Sequence, residues 1–88
     1  ATCAPCKRLE PIVFALAKQY EGRVKIAEMK FQRGMKVARR LGVRSTPTLL
    51  FFRNGAERER VTGFRGQLYL EQTIDDVLLD QRPVEASA

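Results

Sequence analysis

Two cysteines, Cys3 and Cys6, are the residues of this chain best suited to chemistry, and only Ala4 and Pro5 stand between them. Thiols at this spacing have three uses. They can be half of a zinc site, but a structural zinc takes four ligands. The sequence holds no histidine and no further cysteine, so such a site could be completed only between chains. They can form a purely structural bridge, yet closing so short a loop removes little entropy from the unfolded chain. They can also be a redox dithiol, and the elements predicted around them favour that use.

The redox chemistry requires this arrangement. A helix that starts at Cys3 places the first sulfur beside unpaired N–H groups and the positive end of the helix dipole, which stabilise a thiolate. The pKa of Cys3 is then expected to fall from the free value near 8.5 into the range of roughly 3.5–7.5. Cys6 lies one turn on, close enough to attack a mixed disulfide formed at Cys3. One segment thus supplies both a nucleophile and a resolving thiol. Pro5 stiffens the turn between them. Lys7 either adds positive charge to the site or is an ordinary surface lysine.

These residues need elements to hold them. From 3 to 19 the apolar positions Leu9, Ile12, Val13, Leu16 and Ala17 recur at helical spacing, with Tyr20 following. Pro5 falls in the first turn, where a missing N–H costs nothing. Pro11 falls mid-helix and is expected to kink it, and Gly22 is the stop. A strand is predicted over 24–31 and a short helix over 35–41, ended by Gly42. A loop leads to Pro47. The apolar run 48–53 reads as a strand buried on both faces. Asn54-Gly55 signals a hairpin, so 57–62 should return antiparallel. The alternating charges Glu57, Arg58, Glu59 and Arg60 suit an exposed edge. Gly63 and Gly66 break the pattern before an amphipathic helix over 67–79, with Leu68, Leu70, Ile74, Val77 and Leu78 apolar. This alternation of periods predicts an α/β layer fold, as one domain over 1–80 with a disordered tail over 81–88.

Composition limits the alternatives. Eighty-eight residues make one small domain, and 44% hydrophobic with 30% charged residues is ordinary for a globular one. The net charge is +6, but the basic residues are scattered without runs of five or interleaved aromatics. That pattern predicts a solvated basic surface rather than a nucleic-acid partner. No apolar run approaches the roughly 18 residues of a membrane span.

Several further motifs agree with the dithiol. Cys3-Ala4-Pro5-Cys6-Lys7, Pro11, the run Leu41-Gly42-Val43-Arg44-Ser45-Thr46-Pro47-Thr48, the hairpin Arg53-Asn54-Gly55 and the step Thr62-Gly63 resemble the thioredoxin family, in order and with matching gaps. The resemblance covers roughly residues 2 to 80. It implies a thioredoxin-like fold and a protein-disulfide reductase or exchange enzyme, with Cys3 and Cys6 catalytic and cycling through a redox-active disulfide. No metal or organic cofactor is implied. Pro47 would be a cis-proline facing the dithiol, and Thr46 would offer its backbone to an extended substrate. Thr2, Ala4, Pro5, Thr46, Pro47 and Gly63 would line the substrate groove, with Phe64 at its rim or in the core. The implied partners are protein disulfides and an electron donor like thioredoxin reductase. The implied compartment is the cytoplasm, with the periplasm or secretion as alternatives.

The sequence departs from that family twice. Thr2 stands where a tryptophan is usual, which removes apolar surface beside the dithiol and offers a helix cap instead. The family fold also places a strand, a helix and a central strand ahead of the dithiol, whereas this sequence opens on it. The gap could be filled by further chain, by a second copy pairing through exposed strand edges, or by direct pairing of 24–31 with 48–53 in a three-stranded sheet. The central strand of the family carries a buried acid that takes the proton of the resolving thiol. Glu28 is the candidate replacement, or simply a strand residue facing solvent. A different class of function, a redox-inactive binding or assembly module, remains beside the enzyme, as does an oxidant or isomerase of secreted proteins.

Overall fold

A computed structural model describes residues 3–32 and 34–79. The expected disordered tail at 81–88, and Thr2 as cap or groove residue, lie outside them.

The helix that carries the cysteines, α1, runs Ala4–Gln19 and continues unbroken past Pro11. Its apolar stripe is buried at Leu9, Leu16 and Tyr20, with Ile12 and Val13 packed beside them. The chain leaves the helix through Gly22, whose φ of 85° suits glycine. The short helix α2, Lys36–Leu41, ends as predicted. Gly42 takes a left-handed conformation, its N–H bonds to Arg39 O, and Val43 N–H bonds to Ala38 O at 2.8 Å.

Strands β1 (Thr48–Arg53) and β2 (Ala56–Thr62) form the antiparallel hairpin. Asn54 and Gly55 both have positive φ, as a tight hairpin turn with the twist of its strands requires. The register runs from Thr48 opposite Thr62 to Arg53 opposite Ala56, with a shift between Phe51 and Phe52. The last helix, α3, spans Gln67–Thr73 and widens into a π-helical stretch over Ile74–Leu79. Leu70 and Ile74 carry this element into the core, where Phe51 and Val61 meet them from the hairpin. Burying one such leucine is worth about 1.5–3 kcal/mol.

Arg60 ties the small helix to the sheet. Its guanidinium donates to Leu41 O and Gly42 O at the C-terminal end of α2, while Nε pairs with Glu57 at 2.8 Å. A cation at that end also complements the helix dipole.

Three expectations need correction. The strand expected over 24–31 carries no regular structure, because a strand exists only through hydrogen bonds to a neighbour. The sheet of the described residues contains β1 and β2 alone, so direct pairing of 24–31 with 48–53 is not realised. Val24 and Ile26 still reach the core, but Met29 and Phe31 are 62% and 39% exposed. Second, β1 is not buried on both faces: Phe51 is in the core and Phe52 is 45% exposed. Third, Leu68 belongs to solvent, at 66% exposure, although α3 is amphipathic around it.

Tyr20 joins the two long elements of the core. Its hydroxyl donates to Asp75 Oδ1 at 2.9 Å, with Glu71 O 3.4 Å away. Burial, then the hydrogen bond to Asp75, push its pKa up to about 12, with Asp75 and Glu71 adding charge repulsion and Arg23 opposing it. Because the folded value lies above the unfolded value of 10.0, the stabilisation is complete below pH 10 and is lost between 10 and about 12. The urea midpoint should therefore fall across that window in the wild type and fall less in Tyr20→Phe. Equal slopes in the two proteins would contradict this assignment.

Candidate active site

A helix opens with N–H groups that have no carbonyl to bond within the helix. At the start of α1 the residue before the first turn is Cys3, with an extended backbone (φ −123°, ψ 99°). Its Sγ accepts the N–H of Cys6 at 3.3 Å, and its carbonyl accepts the N–H of Lys7 at 3.1 Å. The cap is thus the sulfur itself. Pro5 sits in this first turn, where it has no bond to lose. One turn along, Cys6 is bonded to Cys3 in a disulfide whose Cα atoms are 5.1 Å apart. Both cysteines are half-buried and Ala4 between them is exposed, so one side of the pair is open to a partner.

The loop before β1 faces this sulfur pair. Thr46 Oγ1 donates to Cys3 Sγ at 3.5 Å, and the Thr46–Pro47 peptide is cis. Thr48 Oγ1 braces the loop by donating to Ser45 O at 2.6 Å. From the other strand, Gly63 N–H donates to Pro47 O at 2.9 Å. Gly63 has a φ of 90°, which a side chain would strain, so glycine is needed to make that approach. Pro47 is buried while Thr46 is exposed. The N–H and C=O of Thr46 join no backbone hydrogen bond among the described residues.

Cys3, Cys6, Ala4, Pro5, Thr46, Pro47 and Gly63 are therefore brought to one end of the molecule. Phe64 follows Gly63 there, half-buried against the core, with the Arg8 guanidinium over its ring at 4.2 Å. Lys7 is exposed beside Cys6. Glu28 is not gathered with them in the same way. It is exposed on the irregular segment after α1 and takes part in no hydrogen bond between described side chains. An acid matched to a thiol proton needs burial to raise its pKa.

Sequence reasoning missed Arg8 and the bracing by Thr48. A side chain that bonds a carbonyl three residues back is a local pattern that Ser45-Thr46-Pro47-Thr48 could have suggested. The meeting of Arg8 with Phe64 is long-range and has no local signal.

The position of Cys3 makes a prediction once the disulfide is reduced. The N–H of Cys6 and the helix terminus favour the thiolate at Cys3 rather than at Cys6, and the thiolate is the nucleophile. Iodoacetamide at neutral pH should label Cys3 first, as read by peptide mass. Equal labelling of both cysteines would count against a tuned pair.

Comparison with known proteins adds the family. The family model described as Thioredoxin matches residues 1–76. Thioredoxin 1 of Nostoc sp. is 36% identical over 73 residues, which cover 83% of this chain and 68% of that protein. Thioredoxin of Synechocystis sp. is 33% identical over 76 residues, covering 86% of this chain and 71% of that protein. The chloroplastic Thioredoxin M-type of Pisum sativum is 34% identical over 73 residues, covering 83% and 42%. The chain thus spans about two thirds of the length of the bacterial relatives and about two fifths of the chloroplastic one.

Proposed function

The chain belongs to the thioredoxin family, and on that footing we propose that it is a thiol–disulfide oxidoreductase that reduces or exchanges protein disulfides through Cys3 and Cys6. The observation that carries this reading is the Cys3–Cys6 disulfide at the open end of α1, facing the Thr46–Pro47 loop.

In the reduced chain, the Cys3 thiolate attacks one sulfur of a substrate disulfide. The substrate S–S bond breaks, a Cys3–substrate disulfide forms, and the other substrate sulfur leaves as a thiolate that takes a proton from water. Cys6 then loses its proton and attacks Cys3 Sγ. This forms the Cys3–Cys6 bond and expels the second substrate thiol. Two electrons have passed from the chain to the substrate, and the disulfide state is the one described above. Closeness of the two sulfurs lets the second step outrun release of a stalled adduct.

Thr46 supplies the docking edge. Its N–H and C=O, which join no backbone hydrogen bond among the described residues, suit an extended substrate segment that would add to the loop as a short strand. Ala4 and Pro5 keep the approach low and stiff, and Gly63 holds the Pro47 carbonyl from behind. The oxidised pair must be returned to the dithiol by a donor, either a reductase like thioredoxin reductase or another dithiol protein. Among the described residues, no helix is long and apolar enough to cross a membrane. A reductase of this kind works where thiols are kept reduced, and the cytoplasm is the compartment we assign.

Insulin reduction by dithiothreitol tests the reading. Added chain should accelerate it several-fold, and Cys3→Ser should return it to the uncatalysed rate. A wild-type rate no higher than background would refute the enzyme reading and leave a redox-inactive binding module.

A further inference from the structure

Two guanidinium groups meet at Phe64, one over its ring and the other on its backbone carbonyl. Arg8, on the second turn of α1, lies with Cζ 4.2 Å from the centroid of Phe64. Arg65 folds back so that Nη1 donates to Phe64 O at 2.9 Å, and its Cζ lies 5.7 Å from the centroid of Tyr69. A chain of direct contacts links this cluster to the reacting sulfur. Phe64 follows Gly63, Gly63 is bonded to Pro47, and Pro47 follows Thr46, whose hydroxyl reaches Cys3.

The cluster is positioned, and no carboxylate among the described residues pairs with it. Among the described residues the ion pair is Arg60 with Glu57, on the hairpin. Arg8 and Arg65 are both exposed. Lys7, beside Cys6, and Arg44, two residues before Thr46, are exposed as well and add charge of the same sign. Glu10 is the one acid on this part of α1, and it too is exposed and enters no ion pair there.

Stacking leaves a guanidinium with its charge and with in-plane N–H groups free, and that fork matches a carboxylate. It also fixes the side chain in advance, so less freedom is lost when a partner arrives. We propose that the Arg8–Phe64–Arg65 cluster is a docking surface for acidic residues flanking the target disulfide, so that the chain prefers substrates whose cystine lies in an Asp- or Glu-rich segment. The inference rests on the exchange reading above and deepens it.

Two cystine peptides of equal length test it, one with Glu and one with Gln on each side of the cysteines. Each rate is divided by the rate with dithiothreitol alone, which removes the effect of the flanking charge on the thiol chemistry itself. The acidic peptide should be turned over with a kcat/KM about three- to tenfold higher at low salt. The preference should shrink toward 1 M salt, where the screening length falls to about 3 Å. Arg8→Gln combined with Arg65→Gln should bring the ratio close to unity. Arg58→Gln, which removes a like charge near the hairpin turn, should leave it in place. The ratio is taken within each variant, so a change in the folded fraction cancels. Equal normalised rates in the wild type, or an equal loss in Arg58→Gln, would overturn the docking surface alone. Turnover of neither peptide would overturn the exchange reading and this inference with it. Equal peptide rates, together with retention of a short single-stranded DNA that the double variant loses, would overturn it in favour of a nucleic-acid partner.

Discussion

The unpaired N–H groups at the start of α1 are the constraint on which this site is built. Most helices meet that need with the oxygen of a serine, threonine, aspartate or asparagine. Here a sulfur stands in the cap position, and the N–H of Cys6 points at it. The same geometry that satisfies the backbone also favours negative charge on Cys3. The second cysteine follows one turn later, the nearest position at which a helix returns a side chain to the same edge. Structure and reactivity at this point are one feature.

The rest of the fold keeps that helix end in place. Leu9, Leu16 and Tyr20 bury one stripe of α1 against Leu70 and Ile74, and Tyr20 adds its hydrogen bond to Asp75. The hairpin brings the Thr46–Pro47 loop to the dithiol from one strand and Gly63 from the other, and the Gly63–Pro47 bond joins them. Arg60 holds α2, whose end leads into that loop, by two carbonyls. A small core thus fixes the three pieces of backbone that surround Cys3, and none of them is a long flexible loop.

What could be read from the sequence followed local rules. The helix at 4–19, the hairpin at Asn54-Gly55, and the end of α2 at Gly42 each depend on a few adjacent residues, and their bounds came out within about one residue. The segment 24–31 misled because its alternation states only which residues are apolar. Whether a strand forms depends on a neighbouring edge, which no local pattern encodes. Phe52 misled in the same way, since the run Leu49 to Phe52 is apolar throughout but meets the core at Phe51. The π-helical widening at Ile74–Leu79 left no mark in the spacing of Leu70, Ile74 and Val77. At the site, Cys3, Cys6 and Pro47 were legible from their motifs. The pairing of Arg8 with Phe64 was not, because it joins the first helix to a loop far along the chain.

The central claim is that Cys3 attacks and Cys6 resolves. In Cys6→Ser the attack remains but the resolving step is gone, so incubation of the reduced variant with a cystine peptide should build up a mixed disulfide at Cys3, visible by intact mass and located by peptide mapping. The wild type should instead collect as the Cys3–Cys6 disulfide with the peptide reduced. If Cys6→Ser gathers no adduct at Cys3, while Cys3→Ser traps the peptide on Cys6, the order of the two sulfurs is contradicted.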